Sequence, residues 1–205
     1  MTRTGRTTNR AARLQLRATL DLAHHAVELL RSKEEAMRRE RARLEGHADR
    51  TERQWRERCG EATTWILRAR ALGASSELAA MLDRPSQPAA IMVAWQAAMG
   101  VDYPGHVDCT PGAPPALATT AALVPARAAF QAALVAGAQH AAATEALHRV
   151  ESEVSNTRRR RRAIEQRLRP RLESQLHKLD LDLDERDRDA AVRTQLAIRS
   201  KGSRP

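Results

Sequence analysis

The sequence predicts an all-α protein, a long antiparallel two-helix coiled coil with a small irregular or β-hairpin insertion in its middle. Three observations predict it. Written as a helix, Leu16, Leu20, Ala23, Val27, Leu30, Met37, Leu44, Ala48, Trp55, Ala62 and Trp65 share one alternating four-three register, interrupted only by Glu34, Arg41, Thr51 and Arg58. A second heptad stretch near the other end carries Val150, Val154, Ile164, Leu168, Leu172, Leu176, Leu179 and Leu183. Between them lies a segment holding most of the chain's prolines. An apolar seam recurring every 3.5 residues is too narrow to wrap a globular core, but it zips onto another helix. Two seams in one chain suggest a hairpin of helices, a rod in which the chain pairs with itself.

Taken in order, residues 1–10 read as a basic flexible tail with Gly5 and Asn9 as breakers. The N-terminal helix is expected over residues 11–72, ending before Gly73 as a C-cap glycine, a span of roughly 90 Å at 1.5 Å per residue. Gly46 and Gly60 weaken it locally, by roughly 1 kcal/mol each relative to Ala, and mark points where it bends or breaks. Residues 73–125 form the irregular insertion. Within it Ile91–Trp95 is β-prone, Gly100 is a turn residue and Val101–Val107 returns as a second strand, giving a hairpin at about 90–108. A C-terminal helical segment follows over 126–198, then a tail over 199–205, the whole making one structural domain. Pro170 falls inside that second helix, where it removes a donor and crowds the preceding turn. The spacing Leu168, Leu172, Leu176 slips the heptad at the same place, so a bend is expected there.

Composition fits long helices better than a thick core. The chain of 205 residues has one Phe, one Tyr and three Trp, so few large side chains are available to fill a wide interior. The formal net charge of +10 makes a polyanion, a membrane surface or an acidic protein a conceivable partner. The charge is uneven, however. Arg3, Arg6, Arg10, Arg13 and Arg17 occur with no acid among them and Arg158–Arg162 form a second block, whereas Arg and Glu alternate elsewhere. Cys59 and Cys109 stand far apart with no partner at metal-ligand spacing, as expected of two reduced thiols in a cytosolic protein. The N-terminus lacks the apolar run of a signal peptide, and every long uncharged stretch falls short of the roughly 20 apolar residues of a membrane span. No direct membrane insertion is expected.

Motifs that carry chemistry are missing. Neither GxxxxGK[ST] nor GxGxxG occurs, so no phosphate loop and no cofactor is predicted. His24 and His25 are adjacent and point to different faces of a helix, which disfavours a shared metal. Asp180–Asp184 begins like a calcium loop, but Glu185 replaces the turn glycine and Ala191 the bidentate Glu. Met81, Met92 and Met99 read as packing residues. No catalytic, cofactor-binding or metal-binding residue is nominated.

Three blocks carry a resemblance to a known family. They are Leu29-Leu30-Arg31-Ser32-Lys33, then Ala98-Met99-Gly100-Val101-Asp102-Tyr103-Pro104, and then Thr157–Glu165 with Pro170-Arg171-Leu172-Glu173 and Leu183–Arg188. In this order they resemble the LLKdK, NVMGVkvP and TrRRVNALE…IPrLe…LdErErE patterns of the D subunit of V-type (A/V-type) ATPases. Arg161 and Arg162 stand where that family has Val-Asn, Arg169 replaces an Ile, and the segment after Arg188 lacks the family's aromatic and Arg-Leu-Lys run. The resemblance implies a non-catalytic central rotor shaft that couples ATP hydrolysis or synthesis to transport of protons or sodium ions. Its implied partners are the A and B subunits of the catalytic hexamer, the small F subunit and the subunit capping the membrane rotor ring. Its implied location is cytoplasmic and peripheral to the membrane.

Matching positions nominate Lys33, Trp95, Met99, Gly100, Val101, Arg158, Arg159, Arg160, Glu165 and Pro170 as partner contacts. Two readings stay open at several of them. Lys33 and Glu165 serve either solvated salt bridges or a partner. Trp95 and Met99 either pack onto the coiled coil or meet a neighbouring subunit. Arg158–Arg162 is either a plain basic stripe, worth little per exposed pair, or faces acidic loops of the hexamer. Two further function classes compete with the shaft. A basic coiled coil that binds nucleic acid is opposed by the interleaved acids and by the lack of an aromatic-basic platform. A helical scaffold or adaptor would use its seam to recruit another helix.

Overall fold

The computed structural model describes residues 3–82, 87–113 and 121–201. Helix α1 runs Arg3–Ala71 and a short α2 runs Ser75–Leu82. Strands β1 (Ala90–Ala98) and β2 (Val101–Thr110) form a two-stranded antiparallel sheet. Helix α3 (Leu123–Ala163) passes through a π-helical turn, Ile164–Leu168, into α4 (Arg169–Lys201). Long helices with a small hairpin between them in sequence are the architecture the two seams predict.

Several boundaries differ from the sequence reading. Helix α1 begins at Arg3, inside the stretch read as a tail, and continues through Gly46 and Gly60. A single glycine costs only about 1 kcal/mol, which neighbouring hydrogen-bonded turns and a packed seam outweigh. Part of the insertion is helical, as α2, and α3 starts at Leu123. Residues 1–2 of the expected N-terminal tail, 83–86 and 114–120 of the insertion, and 202–205 of the expected C-terminal tail lie outside the described residues.

The chain divides into two compact units, one taking the chain up to Glu34 and again from Asn156, the other Glu35–Ser155. In the first, Arg10 pairs with Asp187 at 3.6 Å, Arg13 with Asp180 at 2.7 Å and Arg31 with Glu165 at 2.6 Å. Numbers that rise along one helix fall along the other, so the pairing is antiparallel. Ala23, Val27 and Glu34 are buried on the α1 side, and Thr157, Leu172 and Leu183 on the other.

The spacing on that second side explains the π turn. Thr157 and Leu172 are both buried, yet lie one residue further apart than two heptads. A strictly α-helical segment would carry that extra residue into the seam and turn everything beyond it away from α1. A π turn contains one residue more than an α turn and absorbs it. The Arg169 N–H bonds Ile164 O, five residues back, and Pro170 next to it has no N–H to offer the turn behind. The bend expected at Pro170 is thus a π turn in an otherwise unbroken helix. One seam assignment is corrected: Leu168, inside the π turn, is 42% exposed, because the widened turn rotates it outward.

In the second unit much of the seam is made of small residues. Ala48, Thr51, Ala62 and Ala69 of α1 and Ala126, Ala133, Ala136, Ala143 and Ala146 of α3 are all buried. Trp55 falls in the α1 register and is far too large for an alanine seam. It fits because Gly137 of α3 faces it; a Cβ there would lie 3.1 Å from the indole Nε1. Trp55 then stacks on His140, with centroids 5.5 Å apart. The His140 Nδ1 is 3.4 Å from the hydroxyl of Thr51. A cluster of Met37, Leu44, Tyr103, Ala146 and Val150 forms the thickest part of this core, and Ala69, Ala74, Ala122 and Leu123 form another.

Helix α1 ends as Gly73 predicts. Gly73 has φ +88° and donates to Arg70 O at 3.0 Å, while Ala74 donates to Ala69 O at 3.1 Å, the paired bonds of a Schellman cap. Because Met37 is fully buried in this core, Met37→Ala should lower the unfolding free energy by about 2–5 kcal/mol. Leu22→Ala, at a 69% exposed position, should change it by no more than about 0.5 kcal/mol. Urea unfolding followed by helical circular dichroism checks both, and equal losses would contradict the seam assignment.

Candidate functional site

The hairpin turns through two residues, Met99 (φ +51°) and Gly100 (φ +81°). Positive φ at both central positions is a type I′ turn, whose twist matches the flanking strands, and glycine takes the second position without steric cost. Further along β2, Pro104 breaks the ladder. The register slips between Ala94, opposite His106, and Trp95, opposite Pro104, leaving Gly105 as the bulge residue.

The hairpin is fastened to the helices from both sides. Buried Tyr103 donates its hydroxyl to Glu40 Oε1 of α1 at 2.6 Å. Arg43 grips both oxygens of the same carboxylate, at 2.6 and 3.0 Å. Hydrogen bonding by Arg43 holds the Glu40 carboxyl below its ordinary pKa, with Tyr103 adding to the effect against the opposing cost of burial. Burial and the Glu40 contact push the Tyr103 phenol up. From α3, Arg149 lies 4.9 Å over the Trp95 ring and donates to Asp102 O at 3.3 Å.

Although anchored in this way, the sheet leaves most of β1 exposed. Ile91 (56% exposed), Met92 (70%) and Trp95 (56%) of β1, with Met99 (57%) in the turn, are apolar side chains left exposed on the hairpin. Trp95 and Met99 are both more than half exposed, although Arg149 of α3 covers one face of the Trp95 ring. Val101 does pack, against the Met37–Leu44–Tyr103 cluster.

The arginine block divides. Arg158, Arg159, Arg160 and Arg162 are exposed, and Arg159 donates to Asn156 at 3.2 Å. Arg161 turns inward instead, to Glu34 of α1 at 2.9 Å and to Glu165 at 2.7 Å. Glu165 also accepts from Arg31 at 2.6 Å. Burial raises the pKa of the Glu165 carboxyl, but the Arg31 and Arg161 guanidinium groups more than reverse this and hold it low. Lys33 is half-buried on α1, and Pro170 is exposed immediately after the π turn. The nominated residues therefore fall into two places, the hairpin and the segment around the π turn, each in a different unit.

Sequence reasoning missed Arg161 as a seam residue. The signal was present, since Thr157 and Arg161 continue the four-three spacing of Val150 and Val154, and Glu34 breaks the opposite seam. It also missed the Glu40–Arg43–Tyr103 triad and the Trp55–Gly137 fit, which depend on residues distant in sequence. Among the described residues no group of three His, Cys, Asp or Glu side chains is placed to hold a metal, and no helix is long and apolar enough to cross a membrane.

The described residues form long helices with a fastened hairpin between them in sequence. The sequence profile of a family described as the D subunit of ATP synthase matches residues 12–198, and the chain belongs to that family. No curated protein matches the chain.

Both Glu40 and Glu165 titrate below the ordinary carboxylate value of 4.5. A depressed carboxyl contributes stability that is complete above its unfolded pKa and is lost as pH falls through the folded value. The thermal midpoint should therefore hold above about pH 5 and decline below it. Glu165→Gln should start lower and decline less steeply. Identical slopes for variant and parent would contradict the assigned ion pairs.

Proposed function

We propose that the chain is the central rotor shaft of a rotary V/A-type ATPase or ATP synthase, a non-catalytic component that couples nucleotide turnover in the A/B hexamer to ion transport. The observation that carries this reading is membership of the ATP synthase D-subunit family over residues 12–198, nearly the length of the chain. The antiparallel helix pairing is consistent with it, because a packed helix pair resists twisting along its length. An asymmetric charged surface can favour different states of the subunits around it, provided it interacts unequally with those states.

Under this reading Arg158, Arg159 and Arg160 meet acidic loops of the A and B subunits, with Lys33, Glu165 and Pro170 nearby in the same segment. Trp95, Met99, Gly100 and Val101 belong to the hairpin that meets the F subunit or another neighbour outside the hexamer. Seating on the subunit that caps the membrane rotor ring would make the protein peripheral to the membrane, on the cytoplasmic side. The chain itself supplies no nucleotide chemistry.

Reconstitution with the A and B subunits tests the proposal. Gly100→Val places a β-branched residue at positive φ, a strain of roughly 1–2 kcal/mol. It should leave the helices and assembly intact while steady-state ATP hydrolysis falls. Normal assembly with unchanged hydrolysis would reduce the hairpin to packing. Titration of the isolated chain with ATP and magnesium should give no micromolar binding, and binding in that range would overturn the non-catalytic assignment.

A further inference from the structure

The extra residue of the second helix does not sit where the apolar pattern alone would put it. If the seam of Thr157 continued in α-helical phase, Ile164 and Leu168 would both face α1, and the extra residue would fall after Leu168. The π turn comes earlier, at Ile164–Leu168, and leaves Leu168 42% exposed. In place of that leucine, the side chain of Glu165 is drawn in to 17% exposure. Burying a carboxylate in preference to a leucine is unfavourable unless specific partners compensate.

Those partners bracket the π turn. Arg161 stands just before it, and its side chain is 19% exposed between Glu34, at 3%, and Glu165. Glu165 lies within the turn and accepts from Arg31 of α1. If the extra residue moved ahead of Arg161, that side chain would rotate by about 100° and its 2.9 Å ion pair with the buried Glu34 would be lost. If it moved beyond Leu168, Glu165 would return to α-helical phase and turn partly away from Arg31. Either shift breaks one limb of the network.

We propose that Glu34, Arg161, Glu165 and Arg31 form an ionic latch that holds the extra residue of the second helix at Ile164–Leu168. The latch overrides the apolar preference for burying Leu168. It also decides which arginines of the Arg158–Arg162 block point outward and which one points in. Both the latch and its test concern the isolated chain and do not depend on the rotor assignment. Pro170 is the competing cause, since a missing N–H also favours a π turn nearby.

Thiol accessibility separates the two causes. In a chain carrying Cys59→Ser and Cys109→Ser, Leu168→Cys should react readily with a maleimide. Adding Glu34→Leu with Arg161→Val removes the latch and extends the apolar seam. The extra residue should then move past position 168, and the rate there should fall by about tenfold or more as the thiol enters the seam. Glu34→Gln with Arg161→Gln should give the same direction of change if the apolar pair fails to fold. Leu181→Cys, beyond the turn and exposed, should react equally in every background. Pro170→Ala with the latch intact should leave Leu168→Cys reactive. An unchanged rate in latch-free variants of normal helicity would overturn the proposal, as would protection caused by Pro170→Ala alone.

Discussion

A seam that repeats every 3.5 residues tolerates no surplus residue, and the structure depends on meeting that constraint. Helix α1 satisfies it from Leu16 through Ala69, placing even Glu34, Arg41, Thr51 and Arg58 on the buried or half-buried side, while Trp55 stays 38% exposed. Its counterpart does not, because one residue too many lies between Thr157 and Leu172. That residue is taken up by the π turn, in which Leu168 faces out and next to which Pro170 is tolerated deep in a helical stretch. In the other unit the same constraint acts through volume. Alanines keep much of the seam narrow, and the bulk of Trp55 is matched by the missing side chain of Gly137.

The seams leave most charged side chains at the surface. Narrow seams bury little apart from small side chains, so most arginines and glutamates remain outside, many in pairs one turn apart such as Glu52–Arg56 and Glu145–Arg149. Exposed pairs of this kind contribute at most about 1 kcal/mol each and are poorly suited to holding a fold. The features that depart from them are the outward arginines near the π turn and the apolar β1 strand. Under the proposed shaft role, they are the surfaces that neighbouring subunits would meet.

Much of the fold was legible in the sequence because coiled-coil seams are local and periodic. Leu16 through Trp65 fixed the α1 register, Gly73 its end, and Gly100 the hairpin turn. Less visible was anything requiring two distant segments. The Tyr103–Glu40 hydrogen bond and the Trp55–Gly137 fit have no local pattern to announce them. The slip around Leu172 was visible, but its remedy was not. Heptad counting gives the number of surplus residues, whereas the charges of Glu34 and Arg161, on separate helices, bear on where the surplus sits. The start of α1 was missed for a different reason, since Gly5 and Asn9 are weak breakers that a helix already formed can traverse.

The proposed shaft role makes a mechanical claim, and rotation tests it most directly. The A/B hexamer would be fixed to a surface with this chain assembled inside it and a bead attached to the exposed hairpin strand. The account predicts that the bead turns in one direction, only with ATP present, and stops when hydrolysis is inhibited. A complex that assembles and hydrolyses ATP while the bead stays fixed would contradict it.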